Sequence, residues 1–176
     1  MKDVIKEFDL YLESKNLEFR AIVIGGAALN IMDVTTRVTK DVDLIDPEIP
    51  EEIKKASVEF ITTYPEFNLD KDWLNNGPIS IIRDLPKDWR LRTVKIFKGQ
   101  SIILSTLGRS DLLKTKLYAL CDRGIDLADC IQLKPTLDEI DEALPWVLKG
   151  DANELWPDRV NEMMDALKEK LSYFED

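Results

Sequence analysis

A short apolar run, Ala21 to Ile24, ends at a pair of glycines, Gly25 and Gly26. A continuous apolar run of this length predicts a buried strand, and the two glycines predict a tight turn at its end. Residues 27–33 have a composition that favours a helix. The segment therefore predicts a strand, a glycine turn and a helix in direct succession.

Farther along the chain, Asp41 and Asp43 alternate with Val42 and Leu44. This period of two predicts a strand with one apolar and one acidic face, on which the two aspartates have Cα atoms roughly 6.5 Å apart. Burying two carboxylates side by side is costly unless a cation neutralises them. The pair is therefore a candidate site for Mg²⁺ or Mn²⁺, which prefer oxygen ligands. The alternative is a solvated strand edge.

The glycine turn suggests a ligand for that metal. Without a Cβ atom at Gly25 and Gly26, backbone N–H groups can approach a phosphate closely. Metal ions held by Asp41 and Asp43 would neutralise a triphosphate and activate a hydroxyl group. Taken alone, the glycines could equally form an ordinary turn.

The remaining segments predict a mixed α/β (α+β) fold. Helices are expected over residues 3–15, 51–62, 110–122 and 126–133, from Thr136 and from Pro157, and strands over residues 79–84, 93–98 and 101–106. The helix from Pro157 carries an apolar stripe of Val160, Met163, Met164, Leu167, Leu171 and Phe174. We expect a small mixed sheet flanked by helices, formed by residues 1–109, with a helical C-terminal part, residues 110–176, packed on it in a single compact unit.

Histidine is absent from the 176 residues, which excludes imidazole general bases, Ser-His-Asp catalysis and histidine-ligated zinc. The two cysteines, Cys121 and Cys130, have neither a metal-binding nor a disulfide-framework spacing and are expected in the core. No apolar run is long enough to span a membrane, and the first residues lack the apolar centre of a signal peptide. These features favour a cytoplasmic protein.

The chain has 34 acidic and 24 basic residues, for a net charge of -10. This balance disfavours broad contact with a phosphate backbone, so any nucleic-acid contact should be small. Basic residues nevertheless cluster locally, as at Arg37 with Lys40 and between Arg83 and Arg92. Such a cluster can also be simply a solvated face.

The glycine pair and the aspartate pair, taken together, resemble the motif of the DNA polymerase β-like nucleotidyltransferase superfamily. The matching residues are Gly25-Gly26-Ala27 and Asp41-Val42-Asp43-Leu44. The resemblance implies the nucleotidyltransferase fold, binding of a nucleoside triphosphate by Gly25, Gly26 and Ala27, and Mg²⁺ held by Asp41 and Asp43. Within the superfamily, the chain is most similar to small bacterial proteins related to AbiEii-type abortive-infection toxins.

A second motif is similar to a late motif of those toxins, in which a helix carries a lysine and an arginine and two aspartates follow. Lys116 corresponds to that lysine, Arg123 to the arginine, and Asp126 and Asp129 to the aspartates. The resemblance implies a catalytic or phosphate-binding role for Lys116 and a nucleotide-binding role for the other three. The alternative is a polar network that holds two helices together.

The resemblance implies transfer of a nucleoside monophosphate from an NTP to a hydroxyl acceptor, which could be tRNA or another RNA, a protein or a small molecule. It also implies a toxin role with a cognate antitoxin. Two departures stand against a fully active enzyme. Ala27 occupies a position that is serine in many active members, and a third carboxylate is placed only weakly, at Asp84 after the strand expected over 79–83. The alternative function is a non-catalytic module of the same fold that binds a nucleotide or a partner.

Overall fold

The structure is a computed structural model that describes residues 1–173. Contacts between residues group the chain into two compact units, Met1–Gly108 and the residues from Arg109 onward. The first unit contains a sheet and three α-helices, and the described part of the second consists of helices and the loops that connect them.

The first unit contains three α-helices and five strands, which alternate along the chain as far as the third helix. The helices are α1 (Lys2–Ser14), α2 (Gly25–Ile31) and α3 (Glu51–Thr63), and the strands are β1 (Phe19–Ile24), β2 (Val42–Asp46), β3 (Leu74–Asn75), β4 (Val94–Lys98) and β5 (Ile102–Thr106). Short 3₁₀ helices lie at Pro65–Phe67, Ile79–Arg83 and Trp89–Arg92. The expected strand, glycine turn and helix are therefore present at residues 19–31.

The five strands form one mixed sheet in the order β3-β2-β1-β5-β4. Strand β1 is central, antiparallel to β2 and parallel to β5. Strands β4 and β5 form the antiparallel hairpin expected on either side of Gly99. The expected architecture, a small mixed sheet flanked by helices, is confirmed.

The strand expected over residues 79–84 is wrong, because Ile79–Arg83 is a 3₁₀ helix. Its hydrogen bonds are local: the amide of Ile81 donates to the carbonyl of Pro78 at 3.0 Å, and the amide of Asp84 donates to that of Ile81 at 3.0 Å. Three isoleucines in a short run suit a strand by composition, but the preceding proline starts a turn instead. Asp84 therefore ends a 3₁₀ helix and does not lie at the end of a strand.

Helices α1 and α3 contribute most of the helical side of the core, against the apolar face of β1, β2 and β5. An aromatic cluster forms its centre, with ring centroids 5.1 Å apart for Phe8 and Phe60 and also for Phe8 and Trp73. Edge-to-face contacts of this kind add to the stabilisation that comes from burial.

The alternation of Val42 and Leu44, both fully buried, directs the intervening Asp43 to the other face of the sheet.

One buried carboxylate fixes the hairpin to α1. Asp9 accepts hydrogen bonds from the backbone amides of Gln100, Ser101 and Ile102 at 2.9, 2.9 and 2.6 Å. Gly99 is required beside it, since a Cβ atom there would lie 2.2 Å from the Asp9 carboxylate. The β4–β5 turn is thus held by a residue about ninety positions earlier in the chain.

The second unit consists of α4 (Arg109–Arg123), α5 (Leu127–Gln132), α6 (Leu137–Leu148) and α7 (Trp156–Ser172). The capping box expected at Thr136 is present: the Glu139 amide donates to the Thr136 hydroxyl at 3.1 Å, and the Thr136 amide donates to the Glu139 carboxylate at 3.0 Å. In the stripe on α7, Val160, Met164, Leu167 and Leu171 are buried, whereas Phe174 lies outside the described residues. Within residues 1–173, no helix combines the length and apolarity that crossing a membrane requires.

Candidate functional site

The glycine turn and the aspartate strand meet at one end of the sheet. Strand β1 runs directly into Gly25, the first residue of α2, and its last residue, Ile24, pairs with Asp43 on β2. Gly25 has a φ of +72°, a conformation that residues with a side chain rarely adopt. A Cβ atom at Gly25 would also lie 3.0 Å from Oδ2 of Asp43. The turn therefore needs glycine both for its backbone angle and for room beside the carboxylate.

The next glycine faces the segment that connects α2 to β2. A Cβ atom at Gly26 would lie 3.0 Å from Nη2 of Arg37 and 3.6 Å from the Thr39 hydroxyl oxygen. Ala27 follows in α2 and is buried, so a small side chain suits its position. The turn is thus bordered by a carboxylate on one side and by a guanidinium on the other.

The two aspartates differ in their surroundings. Asp43 lies within β2 and is half-buried, whereas Asp41 is exposed and immediately precedes the strand. The backbone carbonyl of Asp41 accepts a hydrogen bond from the Thr39 hydroxyl at 3.3 Å. Asp43 is therefore the aspartate that the sheet holds rigidly, and Asp41 belongs to the loop that leads into it.

The carboxylates of Asp41 and Asp43 suit Mg²⁺ or Mn²⁺ by their chemistry, because these cations prefer oxygen ligands. The missing side chain at Gly25 leaves space beside Oδ2 of Asp43, where a ligand can approach. Among residues 1–173, no group of three or more His, Cys, Asp or Glu side chains is close enough together to hold a metal ion. A cation here would therefore take its other ligands from phosphate oxygens or water, as Mg²⁺ does at sites that bind nucleotides.

The structure adds two residues to this region that the sequence did not single out as site residues. Arg37 stands beside Gly26, and the side chain of Asn75 donates a hydrogen bond to Oδ1 of Asp43 at 3.1 Å. Arg37 belongs to a basic cluster between the two halves of the first motif, which is a signal that could have found it. Asn75 lies in a segment for which the sequence pattern predicts neither a helix nor a strand, so only the pairing of β3 with β2 identifies it.

Asp84 was the weak candidate for a third carboxylate, and its placement rested on a strand that the structure does not contain. The side chain that the structure places beside Asp43 on a neighbouring strand is the amide of Asn75. Asp46, at the other end of β2, accepts from Arg90 at 3.3 Å.

The residues of the second motif form a buried ionic cluster within the helical unit. The Lys116 amine donates to Asp126 at 3.1 Å and to Asp129 at 2.6 Å, and Arg123 donates to Asp126 at 2.7 Å. Lys116, Asp126 and Asp129 are only 3, 4 and 2% exposed. The structure therefore brings all four predicted residues together, and it ties α4 to the start of α5 through them.

Two cysteines lie in the same helical unit and are both buried. Burial raises the pKa of the Cys130 thiol to about 12, although the nearby Lys116 opposes the shift. Burial likewise raises the pKa of Cys121 to about 11. Both thiols are protonated at neutral pH and behave as core side chains, since the reactive form of cysteine is the thiolate.

Comparisons with known proteins give one family. A family model described as "Nucleotidyltransferase of unknown function (DUF6036)" matches residues 1–144. This match spans the whole first unit, with the glycine turn and the aspartate strand, and the second motif in the helical unit. A comparison with curated proteins found no match. A comparison with solved structures found none either.

Proposed function

This chain belongs to the DUF6036 family of nucleotidyltransferases of unknown function, and we propose that it transfers a nucleoside monophosphate from an NTP to a hydroxyl acceptor. The observation that carries the proposal is the meeting of Gly25 with Asp43 at one end of the sheet. A carboxylate for a cation and a turn without side chains for phosphates are what an NTP site needs in one place.

In this proposal Asp41 and Asp43 hold Mg²⁺ or Mn²⁺, which supplies neutralisation of the triphosphate charge when bound. The backbone of Gly25, Gly26 and Ala27 faces the phosphates, because Cβ atoms at the two glycines would occupy the space that phosphate oxygens enter. The Arg37 guanidinium beside Gly26 adds positive charge near the same phosphates. The protein contributes mainly by positioning and charge compensation, as is general for transfer at phosphorus.

The role of Lys116, Arg123, Asp126 and Asp129 at the nucleotide stays a prediction that rests on the resemblance. Their burial and mutual hydrogen bonds support the alternative role, a polar network that holds α4 and α5 together. A lysine that donates to two carboxylates has much of its donor capacity engaged, which leaves little for a phosphate.

For the acceptor, we propose RNA as the first class to test, with a protein hydroxyl or a small molecule as the alternatives. The observation that supports RNA is a local excess of positive charge in the sequence. Residues 83–98 contain six basic and two acidic side chains in a chain of net charge -10; these are Arg83, Lys87, Arg90, Arg92, Lys95 and Lys98 against Asp84 and Asp88. A toxin role with a cognate antitoxin is a further part of this proposal and follows from the resemblance alone.

A second candidate function is a non-catalytic module that binds a nucleotide or a partner. The observation that favours it is the neutral amide of Asn75 beside Asp43, at a position where another carboxylate would strengthen a metal site.

One experiment separates the two. The purified protein is incubated with each α-labelled NTP, Mg²⁺ and a total cell extract, and label is followed into RNA, protein and small molecules. A transferase incorporates label and releases pyrophosphate, whereas a binding module is stabilised by Mg²⁺-NTP in a thermal melt without either product. If no NTP changes the melting temperature and no label is incorporated, both transfer from an NTP and nucleotide binding are excluded for this site, and only partner binding is left of the second function.

A further inference from the structure

Two adjacent asparagines lie at the end of the short strand β3, and they contact different partners: Asn75 is the last residue of the strand, and Asn76 follows it. Asn75 donates to the side chain of Asp43 at 3.1 Å. Asn76 donates to the backbone carbonyls of Leu44 and Pro47 at 3.0 and 3.1 Å and accepts from the Ile49 amide at 2.8 Å. The side chain of Asn76 thus bonds to backbone groups and holds two segments together, whereas the side chain of Asn75 donates to a carboxylate.

The orientation of the Asn75 amide is set by its other end. Its Oδ1 accepts from the backbone amide of Gly77 at 2.7 Å, so the NH₂ group must face Asp43. Strand β3 contributes as well, since Asn75 pairs directly with Asp43 in the parallel ladder. Backbone and side chain together therefore hold this donor in place.

The hydrogen bond from Asn75 fixes the orientation of the Asp43 carboxylate. Oδ1 of Asp43 accepts the hydrogen bond from Asn75, while Oδ2 is the oxygen nearest to Gly25. A carboxylate that is held by one oxygen presents the other in a defined direction, and side chains that orient ligands in this way tune metal affinity.

We propose that Asn75 is a positioning residue that directs Oδ2 of Asp43 towards the glycine turn, where a divalent cation binds together with an NTP. This inference rests on the proposed function, since it assigns a role at the same metal site. It also places position 75 close enough to that cation for its charge to matter: an aspartate there would add a third carboxylate next to the ion.

The test measures binding of Mn²⁺ to the full chain by electron paramagnetic resonance, with a non-hydrolysable NTP analogue at saturation. Four proteins are compared: the wild type, Asn75→Ala, Asn75→Asp and the matched control Asn76→Ala. Thermal melts of each protein without metal report on folding.

We expect Asn75→Ala to weaken Mn²⁺ binding about tenfold, the usual loss when a group that orients a metal ligand is removed. Asn76→Ala should lower the melting temperature more, because it loses three hydrogen bonds to the backbone, and should leave Mn²⁺ affinity unchanged. Asn75→Asp loses the same hydrogen bond but adds a carboxylate next to the ion. Because ligand charge sets the affinity of such sites, the added charge should outweigh that loss, and we expect Mn²⁺ to bind about tenfold more tightly than to the wild type.

Mn²⁺ affinity in Asn75→Ala equal to that of the wild type would overturn the inference. If that variant does not fold, Asn75→Ser, whose side chain is too short to reach Asp43, is measured instead and judged by the same criterion. An Mn²⁺ affinity in Asn75→Asp no better than that of the wild type overturns the placement of position 75 beside the cation. A wild type that binds neither Mn²⁺ nor the NTP analogue would instead show that the proposed function is wrong, and the inference would fall with it.

Discussion

The molecule contains two pairs of aspartates that belong to recognisable sequence motifs. The structure places the two pairs in opposite environments. Asp41 and Asp43 lie at the end of a sheet, one exposed and the other half-buried, beside a turn without side chains. Asp126 and Asp129 lie inside a helical unit and are nearly inaccessible, with Lys116 between them. The first pair keeps contact with solvent, whereas the second is enclosed together with a lysine of the protein.

This difference shows why an acidic motif alone does not define a binding site. Removal of a carboxylate from water is costly, so a fully buried one must have a permanent partner, and a cationic side chain of the protein in that role competes with an external cation. A carboxylate that keeps contact with water can exchange that water for a metal ion. The two groups should therefore respond differently to mutation. Substitutions in the buried cluster should lower the free energy of unfolding, and substitutions at the sheet site should weaken ligand binding.

The largest effect is expected from Lys116→Met, which leaves two buried carboxylates without their shared cation. Loss of one partner from a buried ion pair typically costs about 3–5 kcal/mol of the free energy of unfolding. Urea denaturation followed by circular dichroism measures this loss. The control is Lys168→Met, which removes an ion pair of 2.8 Å to Asp141 on the surface of the same unit and should cost about 0–1 kcal/mol.

The same variant tests the catalytic role predicted for Lys116. If NTP affinity in folded Lys116→Met equals that of the wild type, the cluster is structural. A stable Lys116→Met protein that has lost turnover would contradict the comparison drawn above and support the resemblance.

Next in size is the effect of Asp43→Asn on ligand binding. We expect affinity for Mg²⁺-NTP to fall by about a hundredfold, because a ligand oxygen loses its charge, while the free energy of unfolding changes little. Isothermal titration calorimetry measures the affinity. Asp46→Asn, on the same strand but paired with Arg90, is the control and should bind as the wild type does. Unaltered binding by Asp43→Asn would remove this residue from the site.

A smaller effect is expected from Gly26→Val. Its side chain would enter the space next to Arg37, whose flexible end can move aside, so the fold should survive. Phosphates would meet the new side chain, and we expect NTP affinity to fall about tenfold, or roughly 1.4 kcal/mol. As a control, Gly124→Ala replaces a residue of the helical unit with a φ of +73° and should reduce stability without changing NTP affinity. Equal NTP affinity in Gly26→Val and the wild type would contradict the assignment of phosphates to this turn.

The smallest effect concerns Glu139, an ionised residue of the helical unit that remains accessible to solvent. The hydrogen bonds from Arg109 lower the pKa of Glu139 below its ordinary value. Its contribution to stability is therefore complete above the ordinary glutamate pKa, near 4.3, and is lost as the pH falls through the lower pKa of the folded state.

Glu139→Gln should cost about 1 kcal/mol near neutral pH, because it weakens the capping box and the ion pair, and much less at acidic pH. Urea titrations across this pH range measure the difference, with the exposed Glu142→Gln on the same helix as the control. A loss that does not depend on pH would show that the charge of Glu139 does not contribute.

Patterns that span few residues determined much of this structure in advance. Strand β1 is predictable from its short continuous apolar run. The turn at Gly25 and the capping box at Thr136 are predictable because their backbone angles and hydrogen bonds involve neighbours in the chain. The alternation around Asp43 likewise separates a core face from an acidic face without any knowledge of the rest of the molecule. The segment at Ile79–Arg83 is the exception, since composition alone could not distinguish a strand from a 3₁₀ helix there.

Only the tertiary structure decided which distant side chains meet. The bonds from Asp9 to the β4–β5 turn, from Asn75 to Asp43 and from Lys116 to Asp129 join residues 13 to 93 positions apart. Such contacts depend on strand order and helix packing, and no short sequence pattern predicts either of these. Burial is decided at the same level: it leaves Asp41 and Asp43 in contact with solvent and encloses Asp126 and Asp129 with a lysine.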